Sequence, residues 1–382
     1  MKKIVFAMIE AGGGHKAPAR AVLEALQKAR PDDYACDLMD FIKDVGATKV
    51  DAAHKRSWNL FLKNPSFTHV IFQVQNSLAP VTRAVLYRTM VAPAVSDSLR
   101  FIRRYKPDLV FSTHYFASMA LVEARRRAGM SFPIVTYLTE MFTFHAPWLV
   151  RESDWFVTAS NRAARSAAKY GIRPERIRTY PYPISPAFLT SGRDRGIVAA
   201  ELGLDGNRPT ILFSFGNQGS QAIVQYLLAL DLIGVPLNVI VATGHNARLK
   251  TRLELGKGLF QKLRIVPLGF ARNMNELIAV SDICLIKPGP ATMMECMHFR
   301  KPIVFGLAAT PCEQAHANYA VSRGVAKYTE GNAMLFGMAV KHFLKDEVKE
   351  TVAARYEALR LRNGAEDIAA FLDRVARGER SP

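Results

Sequence analysis

The sequence predicts an α/β protein made of two doubly wound, Rossmann-like domains. Three observations carry this expectation. Short apolar runs alternate with helical stretches in two successive series, one opening at Lys3 and the other at Thr210. A segment rich in proline, glycine, serine and charge, 185–209, separates the two series as an interdomain linker would. The length of 382 residues is also large for a single hydrophobic core.

In the first series, Lys3 to Glu10 reads as a buried strand. The turn Ala11-Gly12-Gly13-Gly14-His15 follows, and then an amphipathic helix over 17–29. Glycines at a strand-to-helix turn let a ligand approach the backbone and leave N–H groups free. Their order is not G-x-G-x-x-G, which argues against a nicotinamide site. On the residues alone, His15 is either a helix-start residue in a tight turn or a group aimed at a ligand. Residues 50–105 interleave Trp58, Phe61, Phe67, Phe72, Tyr87 and Phe101 with Lys55, Arg56, Lys63, Arg83, Arg88 and Arg100. They read as helices broken near Asn64-Pro65, Pro80 and Pro93. The segment is either a helical hairpin with its aromatics packed inward or a membrane-facing surface with apolar anchors and a basic rim. Strands follow over 109–114, 134–140 and 154–159, with a basic helix over 161–170.

The second series starts with the strand 210–215 and the turn Gly216-Asn217-Gln218-Gly219-Ser220. A strand over 237–242 leads to the loop Thr243-Gly244-His245-Asn246, and 265–270 forms another strand ending at Phe270. Ile283 to Ile286 is short and apolar enough for a buried parallel strand. Lys287-Pro288-Gly289-Pro290 breaks it. Thr292 is expected to cap a helix beginning near Met293, with Glu295 at the spacing of a capping box. A strand over 302–305 then brings up a polar loop bearing Glu313, Gln314 and Asn318. The unit sets a helix N-terminus where a phosphate could sit. By spacing alone Glu295 serves equally as a cap or as a ligand group. Residues 348–376 read as a charged helix.

These motifs resemble those of the GT-B glycosyltransferases of family 28. That family includes the plant monogalactosyldiacylglycerol synthases, bacterial diacylglycerol glucosyltransferases and, more distantly, the lipid II N-acetylglucosaminyltransferase. Lys287, Gly289, Pro290, Thr292, Glu295, Gln314 and Asn318 fill its pattern K-x-G-[PG]-x-T-x-x-E followed by Q-x-x-x-N. The G-G-G-H run of Gly12 to His15, the Thr139-Glu140 pair where relatives have T-D, and the end 171–184 match it further. The resemblance implies the GT-B fold, with two Rossmann-like domains facing a cleft. It divides the chain into an acceptor- and membrane-facing domain, 1–184, the linker 185–209, a UDP-sugar domain, 210–350, and a C-terminal helix, 351–382, crossing back to the first.

The resemblance also implies roles. Glu295 would accept hydrogen bonds from the ribose, and Gln314 and Asn318 would bond the sugar. Gly216, Gln218, Gly219, Ser220, Lys287, Gly289, Ala291 and the N–H groups after Pro290 would hold the diphosphate, Gly244 and Asn246 would belong to the donor site, and Phe270 would lead into the base pocket. Gly12, Gly13 and Gly14 would face the acceptor. His15 is the preferred base because its ordinary pKa lies near neutrality, with Glu140 as alternative base or orienter. Trp58, Phe61, Arg83 and Arg88 would meet an anionic membrane. The implied reaction is an inverting transfer of a hexose from a UDP-sugar to diacylglycerol or a glycosyl-diacylglycerol. No D-x-D motif is present, in keeping with metal-independent chemistry and no cofactor beyond the sugar nucleotide. Two alternatives stand beside it: N-acetylglucosamine transfer to a polyprenyl-linked or other acceptor, and a non-catalytic sugar-nucleotide or lipid-binding protein.

Composition sets the remaining bounds. Hydrophobic content of 49% with 22% charged residues is that of a globular chain. A formal charge of +18 attracts polyanions, whether sugar nucleotide, anionic lipid or nucleic acid. The absence of zinc-finger spacing and of an aromatic RNA-binding signature argues against nucleic acid. Cys36, Cys284, Cys296 and Cys312 form no C-x-x-C pair, so neither a zinc site nor a disulfide framework is expected. With no signal peptide and no membrane-spanning run, the expected place is the cytoplasmic face of the cell membrane. The oligomeric state has no signature.

Overall fold

The computed structural model describes residues 1–10, 13–189, 192–215 and 222–379. The chain divides into two compact units. The first holds Met1–Ser185, Ala309–Cys312 and the segment from Arg362 onward, and the second holds Pro186–Ala308 and Glu313–Leu361.

The first unit contains β1 (Lys2–Met8), β2 (Tyr34–Asp40), β3 (Leu109–Ser112), β4 (Ile134–Leu138), β5 (Trp155–Thr158) and β6 (Ile177–Thr179). They form one parallel sheet in the order β2-β1-β3-β4-β5-β6. Both faces of such a sheet are covered, so its strands are apolar throughout, and Ile4 to Met8 and Leu109 to Phe111 are buried. The order reverses direction between β1 and β3. That switch point opens a crevice at the carboxyl ends of the two strands.

The second unit repeats the plan with β7 (Thr210–Ser214), β8 (Leu237–Ala242), β9 (Leu263–Leu268), β10 (Ile283–Ile286), β11 (Ile303–Phe305) and β12 (Ala326–Tyr328). Their order is β12-β11-β10-β7-β8-β9, again parallel, with its switch point between β7 and β10. The fold is therefore the doubled Rossmann-like α/β arrangement that the alternation of strands and helices predicts.

Several elements differ from the sequence reading. The first helix starts at Gly13 rather than Ala17, so Gly13, Gly14 and His15 form its first turn. A Cβ added at Gly13 or Gly14 would meet nothing within 4 Å, which leaves open space above that turn. Residues 50–105 form helices Thr48–Lys63, Pro65–Ser77, Ala79–Leu86 and Ala92–Tyr105. Before the last of these, Tyr87–Val91 widens into a π turn. Pro93 has no N–H to donate, and its ring crowds the preceding turn, which favours such local widening. Within 192–208, Arg193 bridges Glu201 and Glu276, and Arg195 pairs with Asp282.

The expected single C-terminal helix is two helices, Asp346–Leu359 and Ala365–Arg377. Arg360 ends the first in the left-handed region at φ 45°. The second packs Ile368, Phe371 and Leu372 into the first unit, and Phe371 meets the Trp155 ring edge-on at 5.8 Å. Asn363 fixes the entry to this helix by bonding both the N–H and the carbonyl of Ile184, at 2.9 and 2.8 Å. Gly364 then passes so close to Pro181 that a Cβ would lie 1.9 Å from its carbonyl oxygen. Gly364→Ala should therefore destabilise the protein by about 1–3 kcal/mol through overpacking. Chemical denaturation checks this; an unchanged midpoint would show that the backbone yields freely there.

Candidate functional site

The crevice of the first unit is built around His15. Its Nδ1 lies 2.6 Å from the carbonyl oxygen of Thr113, the residue after β3. A carbonyl only accepts, so Nδ1 carries the proton and Nε2 is the basic nitrogen of the neutral ring. Thr113 Oγ1 donates in return to the His15 carbonyl at 2.9 Å. The switch point between β1 and β3 thus fixes both the position and the tautomer of this imidazole.

Glu140, which follows β4, lines the same pocket as His15, so the structure brings the two candidate bases together. His54, Trp58, His114, Tyr115, Tyr137 and Trp148 also line it. The His114 ring lies 4.5 Å from that of His15 and 5.3 Å from that of His54. Its Nδ1 accepts the Phe116 N–H at 3.1 Å, capping the helix Tyr115–Ala128. Burial, reinforced by charge on His15, holds His114 well below the usual imidazole range and His54 at about 4. Both rings stay neutral near pH 7. The sequence reading assigned no role to His54, Tyr115 or Trp148. His54 was hidden within a helix of mixed cations and aromatics, whereas His114 could have been found from its place at the end of a strand beside the switch point.

An aromatic wall closes the pocket. Tyr115 stacks on Trp148 at 5.4 Å, and Trp58 and Phe72 meet Trp148 edge-on at 5.9 and 5.5 Å. Trp58 is half-buried in this wall rather than presented outward as an anchor. Arg83 is ion-paired with Glu152, Phe61 is half-buried, and Arg88 is exposed. The outward apolar groups of these helices are others: Leu60, Phe67, Val70, Val74, Leu78, Val81 and Val85 are each more than half exposed. Valine and leucine at helical spacing read as core in a sequence, and the expectation rested on aromatics.

In the second unit the candidate donor residues lie along the carboxyl edge of the sheet. Gly216, Gln218, Gly219 and Ser220, like Gly12 of the first unit, fall outside the described residues. Lys287-Pro288-Gly289 follows β10 as a tight turn, closed by the Gly289 N–H on the Lys287 carbonyl at 2.8 Å. The helix after it runs Pro290–His298, with Gly289 at the N-cap and Pro290 in the first turn. Thr292 is therefore not the cap and Glu295 is not a capping-box residue. Proline suits a helix start because it has no N–H to leave unsatisfied there. Ala291 is buried in that first turn.

Glu313, Gln314 and Asn318, expected in a loop, lie instead on the helix Pro311–Ser322. Gln314 Nε2 donates to Asn318 Oδ1 at 2.9 Å, one helical turn away. Lys287 Nζ lies 3.4 Å from the buried Glu313 carboxylate, and His316 Nδ1 donates to the Pro288 carbonyl at 3.1 Å. These two contacts pin the turn to the helix. Glu295 is half-buried, and burial pushes its carboxyl up to about 7. Gly244 adopts φ 59°, which glycine tolerates best, and Asn246 caps the helix Ala247–Gly256 by accepting the Leu249 N–H at 3.0 Å. Between them His245, passed over in the sequence, stacks on the exposed Phe270 at 4.6 Å. Among the described residues, no three histidine, cysteine, aspartate or glutamate side chains gather as a metal-ligand set.

Known proteins share both halves of this arrangement. Residues 15–184 match the family profile of monogalactosyldiacylglycerol synthase, and residues 210–350 match the C-terminal domain of glycosyltransferase family 28. The chloroplastic monogalactosyldiacylglycerol synthase of Spinacia oleracea is 26% identical over 86% of this chain. The aligned part is 63% of that relative, so the chain spans a little under two thirds of its length. Acinetobacter baumannii MurG superposes with a TM-score of 0.61 at 16% identity, over 98% of this chain and all of its own. The UDP-GlcNAc 2-epimerase of Neisseria meningitidis bound to UDP-GlcNAc superposes at 0.63 with 14% identity, over 98% of this chain and 99% of its own. At such identities the superpositions establish the fold alone, while the two adjoining profiles establish the lineage: the chain belongs to the family 28 glycosyltransferases, of the GT-B fold.

Proposed function

We propose that this chain transfers a hexose from a UDP-sugar to the hydroxyl of diacylglycerol or a glycosyl-diacylglycerol at a membrane surface. The transfer inverts the anomeric carbon and uses no metal or other cofactor. The observation that carries the reading is the hydrogen bond from His15 Nδ1 to Thr113, which makes Nε2 the basic nitrogen of a ring lining a pocket walled by aromatics. In the reaction the acceptor hydroxyl gives its proton to His15 as its oxygen bonds the anomeric carbon. The bond from that carbon to the diphosphate breaks, and UDP leaves with the electron pair. One displacement gives inversion.

The donor follows from the second unit. Glu295 accepts the ribose hydroxyls, Gln314 and Asn318 bond the sugar, and the N-terminus of the helix Pro290–His298 with Lys287 balances the departing diphosphate. Support for a UDP-sugar comes from the Neisseria neighbour, which holds one in the same fold. Support for a glycerolipid acceptor comes from the spinach relative. The exposed Phe67, Val70, Val74, Leu78, Val81 and Val85 supply a lipid-facing surface, and the charge of +18 favours an anionic one. No helix among the described residues is long and apolar enough to cross a membrane.

Three tests follow. UDP-sugars offered with diacylglycerol, and the lipids read by mass spectrometry, should give a hexosyl product with wild-type protein. His15→Ala should keep its fold and UDP affinity yet lose about 100-fold or more in kcat, the usual yield of a positioned base. If Glu140→Gln abolishes turnover while His15→Ala keeps most of it, the two roles are exchanged.

Vesicle co-sedimentation tests the surface. Binding should rise with anionic lipid and fall with salt. Phe67→Ser with Val74→Ser should weaken it while sparing transfer to detergent-dispersed acceptor. Undiminished binding by that variant would place the contact elsewhere.

The Glu295 carboxyl gives a pH test. Its folded pKa is raised, so the stability linked to its protonated form is fully present below about 4.5 and is lost as pH rises through about 7. Ribose hydroxyls donate to the ionised form, so UDP affinity should climb between pH 6 and 8 with proton release. Calorimetry on Glu295→Gln should show that component gone, along with at least about 1.5 kcal/mol of UDP binding. An identical pH profile in the variant would remove Glu295 from the ribose.

A further inference from the structure

One residue lining the pocket around His15 carries a buried polar group to which the proposed chemistry gives no role. Tyr137, on β4, lines the pocket, is 1% exposed, and its hydroxyl has no hydrogen-bond partner. Buried hydroxyls are nearly always paired, and an unpaired one costs free energy on the scale of a lost hydrogen bond. Its surroundings explain how it is held. The ring packs against Phe111 and Tyr182, each at 6.2 Å between centroids, so the side chain is walled by aromatics. Burial, with Tyr182 and Glu140 nearby, pushes the phenol well above its ordinary range, so it keeps its proton and is a donor.

Two other groups of the pocket, the candidate bases, have the opposite character. His15 presents a basic Nε2, and an ionised Glu140 only accepts. Either suits a hydroxyl that must lose its proton. Neither suits an oxygen that can only accept, such as the ester carbonyl beside the free hydroxyl of an acylglycerol.

We propose that the Tyr137 hydroxyl binds the acceptor lipid by donating a hydrogen bond to an ester carbonyl oxygen next to the attacking hydroxyl. The assignment rests on the glycerolipid reading above and extends it. It makes the chain selective for ester-linked acceptors and leaves the phenol without a partner until substrate arrives. It also predicts an inversion of the usual cost of a core change. Removing an unpaired buried hydroxyl relieves a penalty, so Tyr137→Phe should be at least as stable as wild type.

The test compares wild type and Tyr137→Phe with diacylglycerol and with its dialkyl ether analogue, which lacks the carbonyl. With diacylglycerol, Tyr137→Phe should raise the acceptor KM about tenfold, the usual size of one hydrogen bond, with the UDP-sugar KM and the melting temperature not lowered. Wild type should show a similar penalty on the ether lipid, and the variant should add none to it. Equal acceptor KM values for wild type and Tyr137→Phe on diacylglycerol would overturn the assignment. So would a penalty of the same size on both lipids, or a lowered melting temperature, which would mark the hydroxyl as structural. Wild type that glycosylates neither lipid would defeat the glycerolipid reading, and this assignment with it. Wild type active on diacylglycerol with an indifferent Tyr137→Phe defeats this assignment alone.

Discussion

The hydrogen bond between His15 and the Thr113 carbonyl is the contact on which the chemistry of the first unit depends. It joins the first turn of the helix that follows β1 to the end of β3, the two strands between which the sheet reverses direction. A parallel sheet leaves such a crevice unfilled because its crossover helices diverge to opposite faces there. The first turn of the helix Gly13–Ala29 brings His15 to the opening, and Gly13 and Gly14 leave the space above it clear. Fixing Nδ1–H on a backbone carbonyl makes the choice of basic nitrogen a property of the fold. Its neighbours His54 and His114 are kept neutral by burial, so they shape the pocket without taking its proton at neutral pH.

The second unit solves a related problem with different parts. Its reversal lies between β7 and β10, and the turn after β10 leads into the helix Pro290–His298. Pro288 and Pro290 stiffen the turn, and His316 and Glu313 tie it from behind through Pro288 and Lys287. A helix N-terminus held this way is preorganised for negative charge. Lys287 meanwhile has a buried carboxylate partner, which holds its ammonium in place.

The alternation of apolar runs and helices was enough to read both sheets, because parallel strands buried on two faces are apolar throughout and therefore conspicuous. The motif residues also fell where a ligand site would need them, at the strand ends. Helix starts were less legible. Thr292 with Glu295 has the spacing of a capping box, yet Gly289 and Pro290 begin the helix earlier, because a proline in the first turn gives up no hydrogen bond. Gln314 and Asn318 looked like loop residues because their neighbours are small and polar; their four-residue spacing is that of one helical face. The aromatic segment misled in a third way. Trp58 and Phe72 pack inward on Trp148. The outward face carries Phe67 together with valines and leucines, whose exposure no periodicity could reveal without knowing which side the body of the protein lies on.

The helix Pro65–Ser77 therefore has two faces with different tasks. Phe72 points inward, where it stacks on His145 and meets Trp148, while Val70 and Val74 point to solvent. Trp148 in turn carries Tyr115 and Trp58, both of which line the pocket of His15. One helix thus has an exposed apolar face on one side and the wall of the His15 pocket on the other. For an acceptor whose acyl chains remain in a bilayer, this arrangement is economical in distance. The reacting hydroxyl has to rise only past the thickness of one helix to reach a base, and an aromatic wall can exclude water along that path. The polar groups needed inside such a pocket are then few. On the proposed reading a basic nitrogen takes the proton and a buried phenol donates to an ester oxygen, so most of the lining can stay apolar.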